Sequence, residues 1–457
     1  MTFYIWRCYM FHTVKLSKTD PTPIYIQLAC ELSKLIEQGI LYEGMKLPTI
    51  RFLSNQLSIN RDTVVSAYKL LEKQGLVESH IGRGTYIAEK KPCLTLSSPI
   101  IPASNTTQLC CSQLTPSEQF FPNNLCLELT TQIAQKESWE AFSDPLYRER
   151  NALKQSVTHF LETLGIKAHF AQTRIVSQME HFWMNLLKLS PKTGICVETP
   201  RDLTVSCYLR SLGAKVYEVP LTSFGMDLDL LEKYLRTGNI SYIFINPYLQ
   251  NPTGICYSKE SLQKLLELAK CYDCYIVEDG TYCDFLLSRH YHPLFNLSSE
   301  GRVIYLYHFS KVYLPYMKYS FICLPLSLIK RIHDEIDCSF NERFLHYYLD
   351  SASLQEIKHH ILLCTKERYT YLLEKIAPLS PTIAYKNSWG GLFLWCKVSE
   401  KLYEAFLNRL LQKEVIIAPE ELFTYAPPTG HFRISISSVS LAQIDEIAQI
   451  FLESIQS

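Results

Sequence analysis

Lys46 to Ile87 reads KLPTIRFLSNQLSINRDTVVSAYKLLEKQGLVESHIGRGTYI. Leu47-Pro48-Thr49 has the form of a helix start, because the Thr49 hydroxyl can accept from an N–H left open in the first turn. Leu53 and Leu57 lie four apart and share one face of that helix. Ser58-Ile59-Asn60 breaks the pattern, and Asn60 suits the N-cap of a second helix. Val64, Ala67, Tyr68 and Leu71 then recur at helical spacing, and Gly75 falls where a C-cap belongs. Two short helices with a tight turn between them are a helix-turn-helix. Leu76 to Ser79 and Thr85 to Ile87 read as two short strands. Gly82-Arg83-Gly84 joins them in a tight turn, which makes a wing with Arg83 at its tip.

Working outward, the chain is too long for one small core, at 457 residues, and calls for two or three domains. Lysine plus arginine equals aspartate plus glutamate, at 45 each. A neutral chain is not a general polyanion binder, so contact with nucleic acid must come from a local patch. The sixteen cysteines show no framework spacing. Cys271 and Cys274 form a lone CxxC, whereas a zinc site wants a second pair or histidines at ligand spacing. They read as buried or incidental thiols of a reducing, cytoplasmic protein. No apolar run approaches the ~20 residues that span a bilayer. Met1 to Phe11 is apolar but short, and residues 1–17 are assigned to an N-terminal tail, with Met10 an alternative start. Pro92, Pro99, Pro102, Pro116 and Pro122 sit among Ser, Thr, Asn and Gln. They argue against regular helix and set a linker over residues 90–131.

From residue 132 to 457 helical patterns alternate with short β-branched and aromatic runs. Ile195 to Val197, Lys215 to Tyr217, Tyr242 to Ile245, Tyr275 to Val277 and Val303 to Leu306 read as strands. Leu203 to Leu212, Leu228 to Leu235 and Ser258 to Cys271 read as helices between them. That order predicts an α/β domain with a mostly parallel sheet, whose ligands sit beyond the carboxyl ends of the strands. Three segments at those ends carry chemistry. They are Asn246-Pro-Tyr-Leu-Gln-Asn251-Pro-Thr-Gly254, Glu278-Asp279-Gly-Thr-Tyr282 and His308-Phe-Ser310-Lys311. A pyridoxal site needs a lysine to condense with the aldehyde, a carboxylate against the pyridine nitrogen, and donors to the ring's phenolate oxygen. Lys311, Asp279, and Asn251 with Tyr282 supply these. Arg433, in Phe-Arg-Ile-Ser, can hold a substrate or effector carboxylate.

The first stretch resembles the GntR family of bacterial winged-helix repressors. The resemblance rests on Leu47-Pro48-Thr49-x-Arg51, Asn60 to Val64, Ala67 to Gly75 and Gly82 to Tyr86. Upstream, Pro23-Ile-Tyr-Ile-Gln27 through Gly44 matches the family's first helix and its loop. The resemblance implies a DNA-binding domain over residues 18–89, with contacts from Arg51, Arg61, Thr63, Arg83 and Gly84. The second half resembles the fold-type I aminotransferases, through the segments above and through Gly390 to Trp395 and Ile416 to Pro419. The combination resembles the MocR subfamily of GntR regulators. It implies a regulator that binds operator DNA, dimerises and senses an amino compound through pyridoxal phosphate. Lys311, Asn251, Asp279, Tyr282, His308, Ser310 and Lys318 would hold that cofactor.

The departures gather at the cofactor's phosphate and ring face. Ser177-Gln178-Met179-Glu180 stands where the family has a glycine-containing turn that offers backbone N–H groups to phosphate. His308 stands for a Ser or Thr, and Lys318 for an arginine. Glu198-Thr-Pro200 is followed by Arg201 and Asp202 rather than by the ring-stacking aromatic. Two alternatives stay open at this level: a working aminotransferase with an appended DNA-binding domain, and a DNA-binding protein whose large domain is a scaffold without pyridoxal phosphate.

Overall fold

The computed structural model describes residues 16, 22–37, 46–57, 59–73, 75–80, 84–88, 109–115, 120–143, 147–287, 291–299, 301–314, 317–333, 339–388 and 390–456. The chain divides into two units, Met1–Ile101 and Pro102–Ser457.

In the first unit α1 (Ile24–Glu37), α2 (Ile50–Leu57) and α3 (Arg61–Lys73) are followed by the hairpin β1 (Val77–His80) and β2 (Gly84–Ile87). The caps act as read from the sequence. Thr49 Oγ1 accepts from the Phe52 N–H at 3.3 Å, and Asn60 Oδ1 accepts from the Asp62 N–H at 3.2 Å. Gly75 takes φ +71° at the end of α3, a conformation that a side chain disfavours. Leu28, Leu32, Leu53, Val64, Ala67 and Leu71 close one core with Val77 and Ile87 of the hairpin. The Tyr68 hydroxyl, inside that core, donates to the Pro48 carbonyl at 2.9 Å and ties α3 to the start of α2. The first wing strand is shifted one residue toward the turn from its expected place, without Leu76 and with His80, and the second begins one residue earlier than expected, at Gly84. Gly82 and Arg83, the turn between them, lie outside the described residues.

The second unit carries an eight-stranded sheet in the order β4-β11-β10-β9-β8-β5-β6-β7. Its strands are β4 (Thr173–Val176), β5 (Gly194–Thr199), β6 (Lys215–Thr222), β7 (Gly225–Met226), β8 (Ile240–Ile245), β9 (Tyr275–Asp279), β10 (Val303–Tyr307) and β11 (Ser320–Cys323). The run from β10 through β9, β8 and β5 to β6 is parallel. β11 and β7 run antiparallel to their neighbours. Successive strand residues feed two cores on opposite faces. Cys196, Ile243, Ile276 and Tyr305 point to one, and Ile195, Tyr242, Val277 and Ile304 to the other. A sheet buried on both faces needs continuous apolar strands, which is why these runs do not alternate with polar residues.

Helices α4 (Asn123–Glu137), α5 (Tyr147–Thr163), α6 (Met179–Lys188), α7 (Leu203–Ser211), α8 (Leu228–Leu235) and α9 (Lys259–Cys271) precede or link these strands. A single turn of helix, α10 (Phe309–Val312), follows β10. Then come α11 (Ser339–Leu349) and the long α12 (Leu354–Ile376). The chain ends in a second, five-stranded sheet of order β12-β13-β15-β14-β3, with α13 (Glu400–Gln412) and α14 (Leu441–Gln456). Its strands are β3 (Leu109–Cys111), β12 (Ala384–Tyr385), β13 (Phe393–Lys397), β14 (Val415–Pro419) and β15 (His431–Ser435).

The linker assigned to residues 90–131 needs correction at its C-terminal end. Leu109 to Cys111 pair in parallel with Val415 to Ile417, and α4 begins at Asn123. Pro122 does not prevent that helix. It stands just before the first turn, where a missing N–H costs no hydrogen bond, and its carbonyl accepts from the Cys126 N–H at 2.9 Å. Among the described residues no helix is long and apolar enough to cross a membrane.

One aromatic holds the floor under α10. The ring of Phe160, on α5, meets Tyr307, Phe309, Tyr313 and Phe321 at 5.6, 5.4, 6.0 and 5.7 Å between centroids. Phe160→Ala empties that nest and is expected to cost roughly 3–5 kcal/mol of unfolding free energy. Chemical denaturation of the variant checks it, and a loss under about 1 kcal/mol would contradict this packing role.

Candidate functional site

The parallel strands β5, β8, β9 and β10 end at one edge of the sheet, and the segments that follow them meet there. They line a cavity of about 530 Å³ with Asp202, Asn251, Tyr282, His308, Ser310 and Lys311. Ser177, Met179 and Glu180 at the start of α6, Lys318, Arg433 and Ser112 to Thr115 complete the wall. That volume suits a small organic ligand.

The local folding of each segment sets its side chain. After β8, Asn246 turns the chain back: its Oδ1 accepts from the Asn251 N–H at 2.9 Å and its Nδ2 donates to the Asp279 carbonyl at 2.7 Å. This links the ends of β8 and β9. Asp279 closes β9, and its Oδ1 accepts from the Thr281 N–H at 3.0 Å and from the Thr281 hydroxyl at 2.5 Å. Oδ2 has no hydrogen bond to the described residues and is left for another donor. Thr281 Oγ1 in turn accepts from the His308 N–H at 3.1 Å, which joins the end of β9 to the end of β10. His308 Nδ1 meets Ser320 Oγ at 2.8 Å. Ser310 Oγ accepts from the Tyr319 N–H at 2.7 Å.

Lys311 opens onto the cavity by surface area, yet protein encloses it on its other sides, and that enclosure governs its electrostatics. Burial pulls its ammonium down, but Tyr282, Asp279 and Asp202 together outweigh burial, and the net shift is upward. Burial takes the His308 imidazole down to about 3, helped by the Lys311 charge, so His308 is neutral at pH 7. Burial tends to raise Asp202, but Lys311 and the Thr204 N–H, which Asp202 caps at the start of α7, bring it below the usual range.

Arg433, on β15, is buried and already engaged. Its Nη1 donates to Asn251 Oδ1 at 2.5 Å and its Nη2 to the Ser112 carbonyl at 2.5 Å, while Nε has no hydrogen-bond partner among the described residues. Burial lowers the guanidinium to about 10. A ligand carboxylate would have to exchange with these partners. Arg201 is buried as well, with its guanidinium 4.0 Å from the centre of the Phe244 ring. Glu198 beside it accepts from the Tyr257 hydroxyl at 2.6 Å and the Asn246 N–H at 2.9 Å. In place of an aromatic, the segment after β5 therefore brings a buried cation and a carboxylate, Asp202, to the site.

Of the residues expected in the pocket, Lys311, Asn251, Tyr282, His308, Ser310, Lys318 and Arg433 line one cavity, with Asp279 adjoining. Ser112 to Thr115 escaped the sequence reading because they lie in a stretch taken as linker. In the first unit, Arg61 is the first residue of α3 and Arg51 lies on α2, both exposed; Thr63 is half-buried, and Gly84 opens β2 with φ +110°. Arg83 lies outside the described residues.

Residues 24–87 match the family described as bacterial regulatory proteins, gntR family, and residues 152–316 match aminotransferase class I and II. The uncharacterized HTH-type transcriptional regulator YcxD of Bacillus subtilis (strain 168) is 28% identical over 368 residues, 77% of this chain and 80% of that protein. The probable rhizopine catabolism regulatory protein MocR of Rhizobium meliloti is 24% identical over 337 residues, 68% of each chain. The crystal structure of a multiple substrate aminotransferase from Thermococcus profundus superposes with a TM-score of 0.69 at 23% identity, over 77% of this chain and 92% of that one. The last likeness is one of fold. A GntR helix-turn-helix followed by an aminotransferase class I and II domain makes this chain a transcription regulator of the MocR type within the GntR family.

Proposed function

We propose that the second unit senses a small amino compound through a pyridoxal-type aldehyde bound at Lys311, and that the chain acts on operator DNA as a homodimer. The observation that carries this reading is the cavity at the carboxyl edge of the sheet, in which a lysine, a buried tyrosine and an asparagine amide stand next to a carboxylate with a spare oxygen. The donor set suits the ring. Asp279 Oδ2 is available to a protonated pyridine nitrogen, and Asn251 Nδ2 and the Tyr282 hydroxyl can donate to a phenolate oxygen. When bound, the ring supplies an electrophilic carbon that an amine can reach. The chain's own part is to hold Lys311 at the cavity floor, keep Asp279 oriented through Thr281, and place Arg433 where a carboxylate could exchange for the Ser112 carbonyl.

Regulation follows from that last contact. Ser112 directly follows β3, where the chain arriving from the DNA-binding unit enters the sheet. A ligand that takes Arg433 from Ser112 acts on the segment joining the two units. It shifts DNA binding only if it prefers one arrangement of that segment over another. Pairing of two chains is supported by the fold family and by the symmetry of operators read by helix-turn-helix proteins.

The test is the absorption spectrum of the purified full chain before and after addition of pyridoxal phosphate and of pyridoxal, followed by amino compounds. DNA binding to the protein's own promoter region is read in the same samples. An absorption band in the visible range that changes with an amine, together with altered DNA affinity, is the expected result. A chain that stays colourless with every aldehyde would leave the second unit a scaffold. Steady amino transfer to a keto acid, removed by Lys311→Ala, would make it an enzyme.

A further inference from the structure

The two ends of the cavity are built differently. The end near Asp279 and Tyr282 suits a ring. The other end is made by the start of α6 together with Lys318, His308 and Ser310. A helix start beside a lysine is where an anion would dock, and a phosphate monoester would bring a charge of about −1.5 to −2 at pH 7.

The chain has spent that capacity on itself. Glu180 lies in the first turn of α6, exposed on the cavity wall, and already complements the helix dipole there. It puts a carboxylate on the same wall as the Lys318 ammonium. His308 adds no charge, because enclosure and the neighbouring Lys311 keep its imidazole neutral and its Nδ1 is engaged with Ser320. Arg433 is held by Asn251 and Ser112. Among the described residues that line this end, the formal charge facing the ligand is thus one plus and one minus. Side chains also crowd the approach to the backbone there. No glycine occurs between Gly165 and Gly194, so every residue around the start of α6 carries a Cβ, and Met179 and Glu180 bring long side chains to the wall.

We infer that this pocket takes its aldehyde ligand without the phosphate: a pyridoxal-class aldehyde with a neutral substituent in the phosphate position. The inference rests on the reading of Lys311 as the amine that bonds the aldehyde. In that step the Nζ lone pair, freed when the ammonium loses its proton, adds to the aldehyde carbon. The carbonyl oxygen then leaves as water, with no change of oxidation state. At the other end a hydroxymethyl or methyl group replaces the phosphate. A hydroxyl there could donate to the Glu180 carboxylate, which a phosphate dianion would meet as a like charge.

The test titrates the full chain separately with pyridoxal phosphate and with deoxypyridoxal, which lacks the phosphate and also the hydroxyl that lets pyridoxal close on its own aldehyde. Occupancy of Lys311 is read by borohydride trapping and peptide mass. Deoxypyridoxal is expected to half-saturate Lys311 at a concentration at least about tenfold below that of pyridoxal phosphate. Glu180→Gln is expected to shift the ratio of the two toward pyridoxal phosphate by about tenfold, and Glu180→Lys further. Far-ultraviolet circular dichroism checks that both variants fold. Equal or tighter binding of pyridoxal phosphate by the unaltered chain, with a ratio insensitive to residue 180, overturns the inference and leaves the Lys311 reading intact. No adduct with either aldehyde overturns both.

Discussion

Lys311→Ala is expected to abolish the borohydride-trapped adduct and, before reduction, the visible absorption of the imine. This is the largest effect expected from a single substitution in the second unit. A second amine, Lys318, lines the same cavity, so chemistry alone does not single out Lys311. Position does. Lys311 sits on the single turn after β10, where Tyr282, Asp279 and Asp202 all act on its charge. Those groups outweigh burial and raise its ammonium above the ordinary lysine value. Only the free amine adds to a carbonyl, so the sign is clear: trapping is slow near neutral pH and quickens as pH rises toward that raised value. Lys318→Ala is expected to leave the label on Lys311. Mass spectrometry of the trapped protein decides the matter, and a label that stays in Lys311→Ala and moves to Lys318 would reassign the amine.

Arg61→Ala and Arg51→Ala are expected to weaken DNA binding in different ways. Arg61 opens α3 and is exposed at the helix end that meets base edges in this motif. Its truncation should cost roughly 1–3 kcal/mol on the preferred site and flatten the preference at the contacted base. Arg51 lies on α2, whose outward face crosses the backbone in a helix-turn-helix. Its truncation should weaken binding to all sequences alike and lower the slope of log K against log salt by about 1. Mobility-shift titrations at two or more salt concentrations separate the two effects. Unchanged affinity for the protein's own promoter region in the double variant would remove both residues from the interface. The chain's overall charge of zero makes the experiment discriminating, since no general cationic surface stands in for a lost arginine.

Local periodicity made the first unit legible. Each helix of the helix-turn-helix is short, and its caps, apolar spacing and terminal glycine lie within a few residues of one another. The forces that shape it therefore act between neighbours in the chain. The strand cores of the second unit were legible for a related reason: a parallel sheet covered on both faces requires continuous apolar runs, and only their ends were placed short. At the carboxyl ends of those runs, the lysine, carboxylate, asparagine and tyrosine stood out as residue types with little reason to follow an apolar strand unless they face a ligand.

What the sequence by itself determined is thus the pair of folds and the residues that chemistry would use. Tertiary structure decided which of them meet, and on what terms. Leu109 to Cys111 were taken as linker because three residues among prolines and serines carry no local signal. Their strand exists only because Val415 to Ile417, some three hundred residues on, complete the ladder. Ser112 thereby reaches Arg433, and Asn251 reaches it from the other side, so a residue expected to await a carboxylate is already hydrogen-bonded. Asp202 and Glu180 could be read as departures from a pattern, yet only the folded chain brings Asp202 into the field of Lys311 and Glu180 to the same wall as Lys318. Charges interact through space with a strength set by distance and enclosure, and neither quantity is written in the spacing of residues along a chain.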